Sequence, residues 1–229
     1  MPDYKHVIVV GIDGAGSFFK EADTPAFDLI FSEGSVTYSA LASNPTISAE
    51  CWGSMLLGVS PRVHGLTNSI VDRYPYPHDS AWPSFAFGYG SQQHLKRINE
   101  VDSLIDMIYQ AAVDAGIIGD TLFCVISDHG GTPGGSHGGW TDAEKYVTFA
   151  AVGKTVKKGT IPKMNIRDLA AIVLYALGIP APEFDINGWT SQIPHGLFCD
   201  ENIPEYRDIS AEADAEPRIS KSPRTSEPV

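Results

Sequence analysis

Asp128, His129 and His137 fall within Ser127-Asp-His-Gly-Gly-Thr-Pro-Gly-Gly-Ser-His-Gly-Gly139, thirteen residues of which six are glycine. Carboxylate and imidazole donors in one stretch are a set that suits Zn²⁺ or Mn²⁺. The glycines let the backbone bend tightly enough to aim them. A further carboxylate, Asp13, follows the apolar run His6-Val-Ile-Val-Val-Gly-Ile12, just as Asp128 follows Thr121-Leu-Phe-Cys-Val-Ile-Ser127. Two parallel strands ending in Asp would bring both carboxylates to the edge of a sheet where ligands bind. Asp13, Asp128, His129 and His137 are therefore expected to face one pocket as metal ligands. Taken singly, an Asp at a strand end is ordinarily a turn former and a lone His a surface residue, so the expectation rests on their combination.

Ser48 opens the segment Ser48-Ala-Glu-Cys-Trp-Gly-Ser-Met-Leu-Leu57, which reads as a helix stopped by Gly58. A hydroxyl at a helix start lies beside unpaired N–H groups and the positive end of the helix dipole, which favour a phosphate or a developing alkoxide. Serine is a poor nucleophile at its own pKa, but a divalent metal shared with Asp13, Asp128 and His129 would activate it. The plainer alternative makes Ser48 an N-cap.

The elements that must hold these residues alternate. Strands are predicted over residues 6–12, 35–41, 121–127 and 146–152, the first buried on both faces. Helices are predicted over 25–33, 48–57, 92–115 and 166–177, the long one from apolar residues at Leu95, Ile98, Val101, Leu104, Ile105, Ile108 and Ala112. Residues 66–91 read as a long loop, rich in Pro, Tyr, Ser and Gly. The alternation predicts an α/β fold with a largely parallel sheet. One domain is expected over residues 1–198, followed by a polar, disordered tail over 199–229.

Composition sets limits. The chain carries 16 basic against 28 acidic residues, a net charge of −12, which disfavours binding of a nucleic-acid polymer through a broad basic surface. Any phosphate must be met locally. Three distant cysteines, Cys51, Cys124 and Cys199, form no CxxC pair and predict free thiols in a reducing compartment. No apolar run approaches the roughly 18 residues of a membrane span, so a soluble, cytoplasmic protein is expected.

Four motifs occur in order: residues 7–14 (VIVVGIDG), 48–65 (SAECWGSMLLGVSPRVHG), 127–131 (SDHGG) and 136–139 (SHGG). Together they resemble the alkaline phosphatase superfamily in its type I phosphodiesterase / nucleotide pyrophosphatase branch, over the chain up to about residue 198. The resemblance implies an alkaline-phosphatase-like central sheet, mostly parallel and flanked by helices. It implies one metal held by Asp13, Ser48, Asp128 and His129, with Ser48 as the nucleophile, and a second metal served by His137. Zinc is the implied cofactor and manganese its substitute. The implied activity is hydrolysis of phosphodiesters or pyrophosphates of small phosphorylated substrates, through an intermediate on Ser48.

The pattern is broken twice. Cys51 stands where the family has an Asn three residues after the nucleophile, and a thiol is a weak donor to a substrate phosphoryl oxygen. Losing such a donor costs on the order of 100-fold in rate. The family's Asp-x-x-Gly-His motif, which supplies other ligands of the second metal, is absent; Ala81-Trp-Pro-Ser-Phe-Ala-Phe-Gly-Tyr-Gly-Ser91 joins directly what the family separates. Asp72, His78, Asp79 and His94 are the donors nearest that junction, and the missing segment predicts an exposed apolar sheet edge.

Three functions follow as expectations. The first is a metal-dependent phosphoric-ester hydrolase using Ser48. The second is an impaired or inactive relative that binds metal or a phosphorylated ligand. The third is an interaction module with a structural Asp/His cluster. The arylsulfatase and phosphoglycerate mutase branches fit less well: the chain lacks Cys-x-Pro-x-Arg at the nucleophile, and Ser48 is not followed by Glu-Val-Gly-His.

Overall fold

The structure, a computed structural model, describes residues 4–71 and 87–215. Its centre is a five-stranded sheet in the order β1-β3-β4-β2-β5, formed by β1 (His6–Ile12), β2 (Ser35–Leu41), β3 (Thr121–Ser127), β4 (Tyr146–Val152) and the two-residue β5 (Gly159–Thr160). β1 pairs in parallel with β3, and β2 with β5, whereas β4 is antiparallel to both β3 and β2. Four strands thus point one way and β4 is reversed, which makes the sheet mixed. A parallel neighbour requires a crossover connection. The glycine-rich segment after β3 provides none, so the chain turns back at the sheet's carboxyl edge and enters β4 from there.

The helices are α1 (Pro25–Ile30), α2 (Ser48–Leu57), α3 (Pro61–His64), α4 (Asn68–Val71), α5 (Gln92–Asp114), α6 (Asp142–Lys145), α7 (Asp168–Ala176) and α8 (Ser210–Ala215). Alternation along β3 sorts them into two layers, because successive side chains point to opposite faces. Leu122, Cys124 and Ile126 pack with Cys51 and Met55 of α2 and Leu169 and Ile172 of α7. Phe123 and Val125 pack with Phe27 and Ile30 of α1 and Ile98, Val101 and Ile105 of α5. Buried Asp102 of α5 accepts from the N–H groups of Ala26 and Phe27 at 2.9 and 2.7 Å, so the long helix caps the short one. The result is a sheet between two helical layers.

Three expectations need correction. β1 is an edge strand rather than one buried on both faces: Val9 is 37% exposed, and among the described residues no strand pairs with its outer edge. A run of β-branched residues reports an apolar strand but not the number of its neighbours. The polar segment after residue 198 remains ordered through α8, with Ile209 and Ala213 buried and the Tyr206 hydroxyl donating to buried Asp168 at 2.7 Å. A few well-spaced apolar contacts tie it down, a signal that average composition dilutes. α7 is also shorter than the predicted 166–177. No helix of the described residues is long and apolar enough to cross a membrane.

Candidate active site

Parallel pairing of β1 and β3 runs in register from His6 opposite Thr121 to Ile12 opposite Ser127. The next residues on the two strands are Asp13 and Asp128, so the carboxylates emerge side by side. Asp128 is wholly buried, and its Oδ1 accepts from the N–H groups of Gly14 and His129 at 2.8 and 2.7 Å. Its other oxygen, Oδ2, has no hydrogen-bond partner and lies 3.5 Å from Nε2 of His129. An orphaned carboxylate oxygen in the interior is costly unless a cation meets it. Burial, reinforced by the charge of Asp13, holds this carboxyl well above the usual range.

His129 is equally buried. Its Nδ1 lies 2.8 Å from the Gly130 carbonyl, which can only accept, so Nδ1 carries the proton. The lone pair is therefore on Nε2, the arrangement that readies an imidazole to bind a metal. Nε2 faces Ser48 Oγ at 3.1 Å and Asp13 Oδ1 at 4.0 Å. Burial lowers the pKa of His129 and keeps the ring neutral. Donor atoms of Asp13, Asp128 and His129 lie within 4.8 Å of one another, a candidate site for one cation.

Ser48 is the first residue of α2 and makes no cap; the N-cap position belongs to Ile47. The plain alternative for this serine is thus not what the structure has. The N–H of Ala49 is taken by Asn68 Oδ1 at 2.9 Å, so one of the backbone donors at this helix end is already engaged. Trp52, one turn further along α2, directs its indole Nε1 to Asp13 Oδ2 at 3.4 Å. A Cβ on Gly11 would lie 2.2 Å from that indole, so the close passage of strand and helix requires glycine there.

His137 also joins the group. Its ring stacks on that of His129, with centroids 4.2 Å apart and planes inclined by 16°. Its Nδ1 donates to the Thr46 carbonyl at 2.9 Å. Burial, and then the neighbouring His129, lower its pKa. Among the described residues no other carboxylates and imidazoles gather with it into a second group of three.

Other candidates fall elsewhere. Cys51, expected weakly at the substrate, is wholly buried within the core beneath α2, and its thiol lies 3.7 Å from the carbonyls of Ser43 and Pro45. Three residues past Ser48 the helix has turned toward the sheet, so the thiol points into the core, where burial and then the charge of Asp128 raise its pKa. His94 is a structural residue: Nδ1 accepts from the Gly90 N–H, and Nε2 donates to the Gly14 carbonyl. Asp72, His78 and Asp79 lie outside the described residues.

Glu144 was not among the expected residues. It is buried, its Oε1 accepts from the Gly139 N–H at 2.7 Å, and its Oε2 accepts from the backbone and hydroxyl of Thr141. The signal was a capping box, Thr141-Asp-Ala-Glu144, legible in the sequence but too short a motif to stand out. Two clefts, of about 240 and 950 Å³, are lined by none of the six expected site residues, so it is the chemistry of the donors that marks the site.

Fold and site together define an α/β protein with a carboxylate–imidazole cluster and a serine hydroxyl at the carboxyl edge of its sheet. A family model described as Type I phosphodiesterase / nucleotide pyrophosphatase matches residues 84–226, more than half of the chain. The chain belongs to that family, within the alkaline phosphatase superfamily. Murine ectonucleotide pyrophosphatase / phosphodiesterase 5, solved as an inactive variant in complex with AMP, superimposes with a TM-score of 0.64 at 12% identity, covering 80% of this chain and 97% of that one. The human protein of the same name gives 0.64 at 12% identity, covering 79% and 97%. At that identity the likeness is one of fold. The GPI ethanolamine phosphate transferase 2 of Kluyveromyces lactis is 32% identical over 97 residues, 37% of this chain. The chain spans only 12% of that relative's length.

Proposed function

We propose that this chain is a metal-dependent phosphoric-ester hydrolase in which Ser48 is the nucleophile, and that Asp13, Ser48, Asp128 and His129 hold one divalent cation, with His137 serving a second. The observation that carries this reading is the approach of Ser48 Oγ to 3.1 Å from the unprotonated Nε2 of His129, beside the unpartnered Oδ2 of Asp128. A bound divalent ion supplies positive charge that lowers the pKa of the seryl hydroxyl and neutralises phosphoryl oxygens. Zinc suits the mixed oxygen and nitrogen donors, and manganese tolerates them.

Ser48 Oγ gives up its proton and forms a bond to phosphorus while the bond to the leaving alcohol oxygen breaks and that oxygen takes up a proton; in the second step water attacks phosphorus with loss of a proton, and Ser48 leaves and is reprotonated. The backbone bonds on Asp128 Oδ1 and His129 Nδ1 hold both groups in fixed orientation, so the site needs little rearrangement when substrate arrives. The AMP bound to the murine fold neighbour supports a nucleotide as the substrate body. The name of the Kluyveromyces lactis relative describes transfer of ethanolamine phosphate, which supports chemistry at the phosphorus of a phosphoric ester.

A second reading, a binding protein with impaired catalysis, draws on the absence of further ligands gathered around His137 among the described residues. One comparison separates the two. Hydrolysis of an aryl phosphodiester with zinc or manganese, measured for the chain and for Ser48→Ala, is expected to fall at least about 100-fold in the variant. Equal rates would leave the binding reading.

A further inference from the structure

Thr46 lies two residues before Ser48, is wholly buried, and has both of its oxygens committed to the loop that carries His137. Its carbonyl accepts from His137 Nδ1 at 2.9 Å. Its hydroxyl accepts from the Gly138 N–H at 2.9 Å and donates to the Gly139 carbonyl at 3.0 Å. Gly138, at φ +99°, lies against Ile47, since a Cβ built there would sit 3.3 Å from the Ile47 side chain. The loop bearing His137 is therefore fastened to the turn that delivers the serine, across 91 residues of sequence.

We propose that Thr46 is a positioning residue that sets the placement of His137 relative to Ser48. Three properties argue for it. The carbonyl bond fixes the proton on Nδ1 of His137 and thereby puts the ring's lone pair on Nε2, as the Gly130 carbonyl does for His129. The hydroxyl spans two consecutive residues of the loop, so it resists both lifting and sliding. The loop is rich in glycine and would otherwise sample many backbone conformations. Glu144 anchors the far side of the same loop through the Gly139 N–H, whereas Thr46 ties it by hydrogen bonds to the nucleophile's own turn.

The functional consequence rests on the reading of Ser48 and His137 given above. Groups that orient metal ligands typically contribute about 10–100-fold in metal affinity or activity. Thr46→Val keeps the shape and the carbonyl but removes the hydroxyl, whereas Thr46→Ser keeps the hydroxyl. In the full chain without metal, hydrogen exchange at the Gly138 amide is expected to be faster in Thr46→Val and near the parent rate in Thr46→Ser. Zinc affinity by titration calorimetry is expected to weaken about 10–100-fold in Thr46→Val and to be restored in Thr46→Ser. Unchanged Gly138 exchange in Thr46→Val, unchanged zinc affinity despite faster exchange, or a Thr46→Ser variant that behaves as Thr46→Val would each overturn the proposal. Failure of the hydrolase reading is separate: it shows as equal turnover by the parent chain and Ser48→Ala, while exchange and zinc affinity still decide the role of Thr46.

Discussion

The two residues that follow β3 have divided tasks. Asp128 commits one oxygen to backbone donors and leaves the other unpartnered, while His129 commits Nδ1 to a carbonyl and turns Nε2 to Ser48. Cys51, three residues from Ser48, has the opposite character: it is a core thiol, and burial pushes its pKa well up. Thiolates and not thiols react, so a native-state thiol assay is expected to modify exposed Cys199 and spare Cys51 and Cys124 until the chain is unfolded. Rapid modification of two or more thiols in the folded chain would show that Cys51 is reachable and return it to the site.

At the scale of elements, the loop between β3 and β4 explains its own glycines. Gly130 lies so close to the next turn that a Cβ there would stand 2.0 Å from the Ala143 carbonyl oxygen, an atom that cannot rotate away. Gly134, by contrast, would meet only the Thr132 hydroxyl at 3.8 Å, an ordinary contact. Gly130→Ala is expected to destabilise the chain by about 1–3 kcal/mol, the usual cost of overpacking, and to weaken zinc binding because His129 moves with it. Gly134→Ala should leave both unchanged, as thermal melts and zinc titrations of the two variants would show. The spacing of six glycines was legible in the sequence; which of them are obligatory was not, since that depends on what passes nearby in space.

Across the whole molecule, the late segment is tied to the body through Asp168 at the start of α7. Its carboxylate accepts from the Asn165 and Gln192 N–H groups and the Tyr206 hydroxyl, yet burial still pushes its pKa up to about 6. A carboxyl whose folded pKa exceeds its unfolded value of about 3.9 takes up protons on folding, so its contribution to stability is greatest at low pH and falls as pH rises from about 4 to 6. That loss amounts to something on the order of 3 kcal/mol. Denaturant titrations across this window are expected to show a smaller decline for Asp168→Asn than for the parent chain. Identical slopes would mean that Asp168 ionises in the folded chain as it does in the unfolded one. The variant is also expected to be less stable at neutral pH, because an amide cannot accept from all three donors.

Residue type and local period were enough to reveal the strands over 6–12, 35–41, 121–127 and 146–152, the helix from Ser48 to Leu57, and the grouping of Asp13, Ser48, Asp128 and His129 as candidates. These signals are local: each depends on alternation, a cap or a strand end within a few residues. The reversal of β4, the edge position of β1, the burial of Cys51 and the packing of residues 199–215 all depend on which segments become neighbours. So does the tie between Thr46 and His137, which lie 91 positions apart. Pairing, direction and depth arise only when distant segments compete for the same apolar surface and hydrogen-bonding edges, and that competition is decided by the folded chain as a whole.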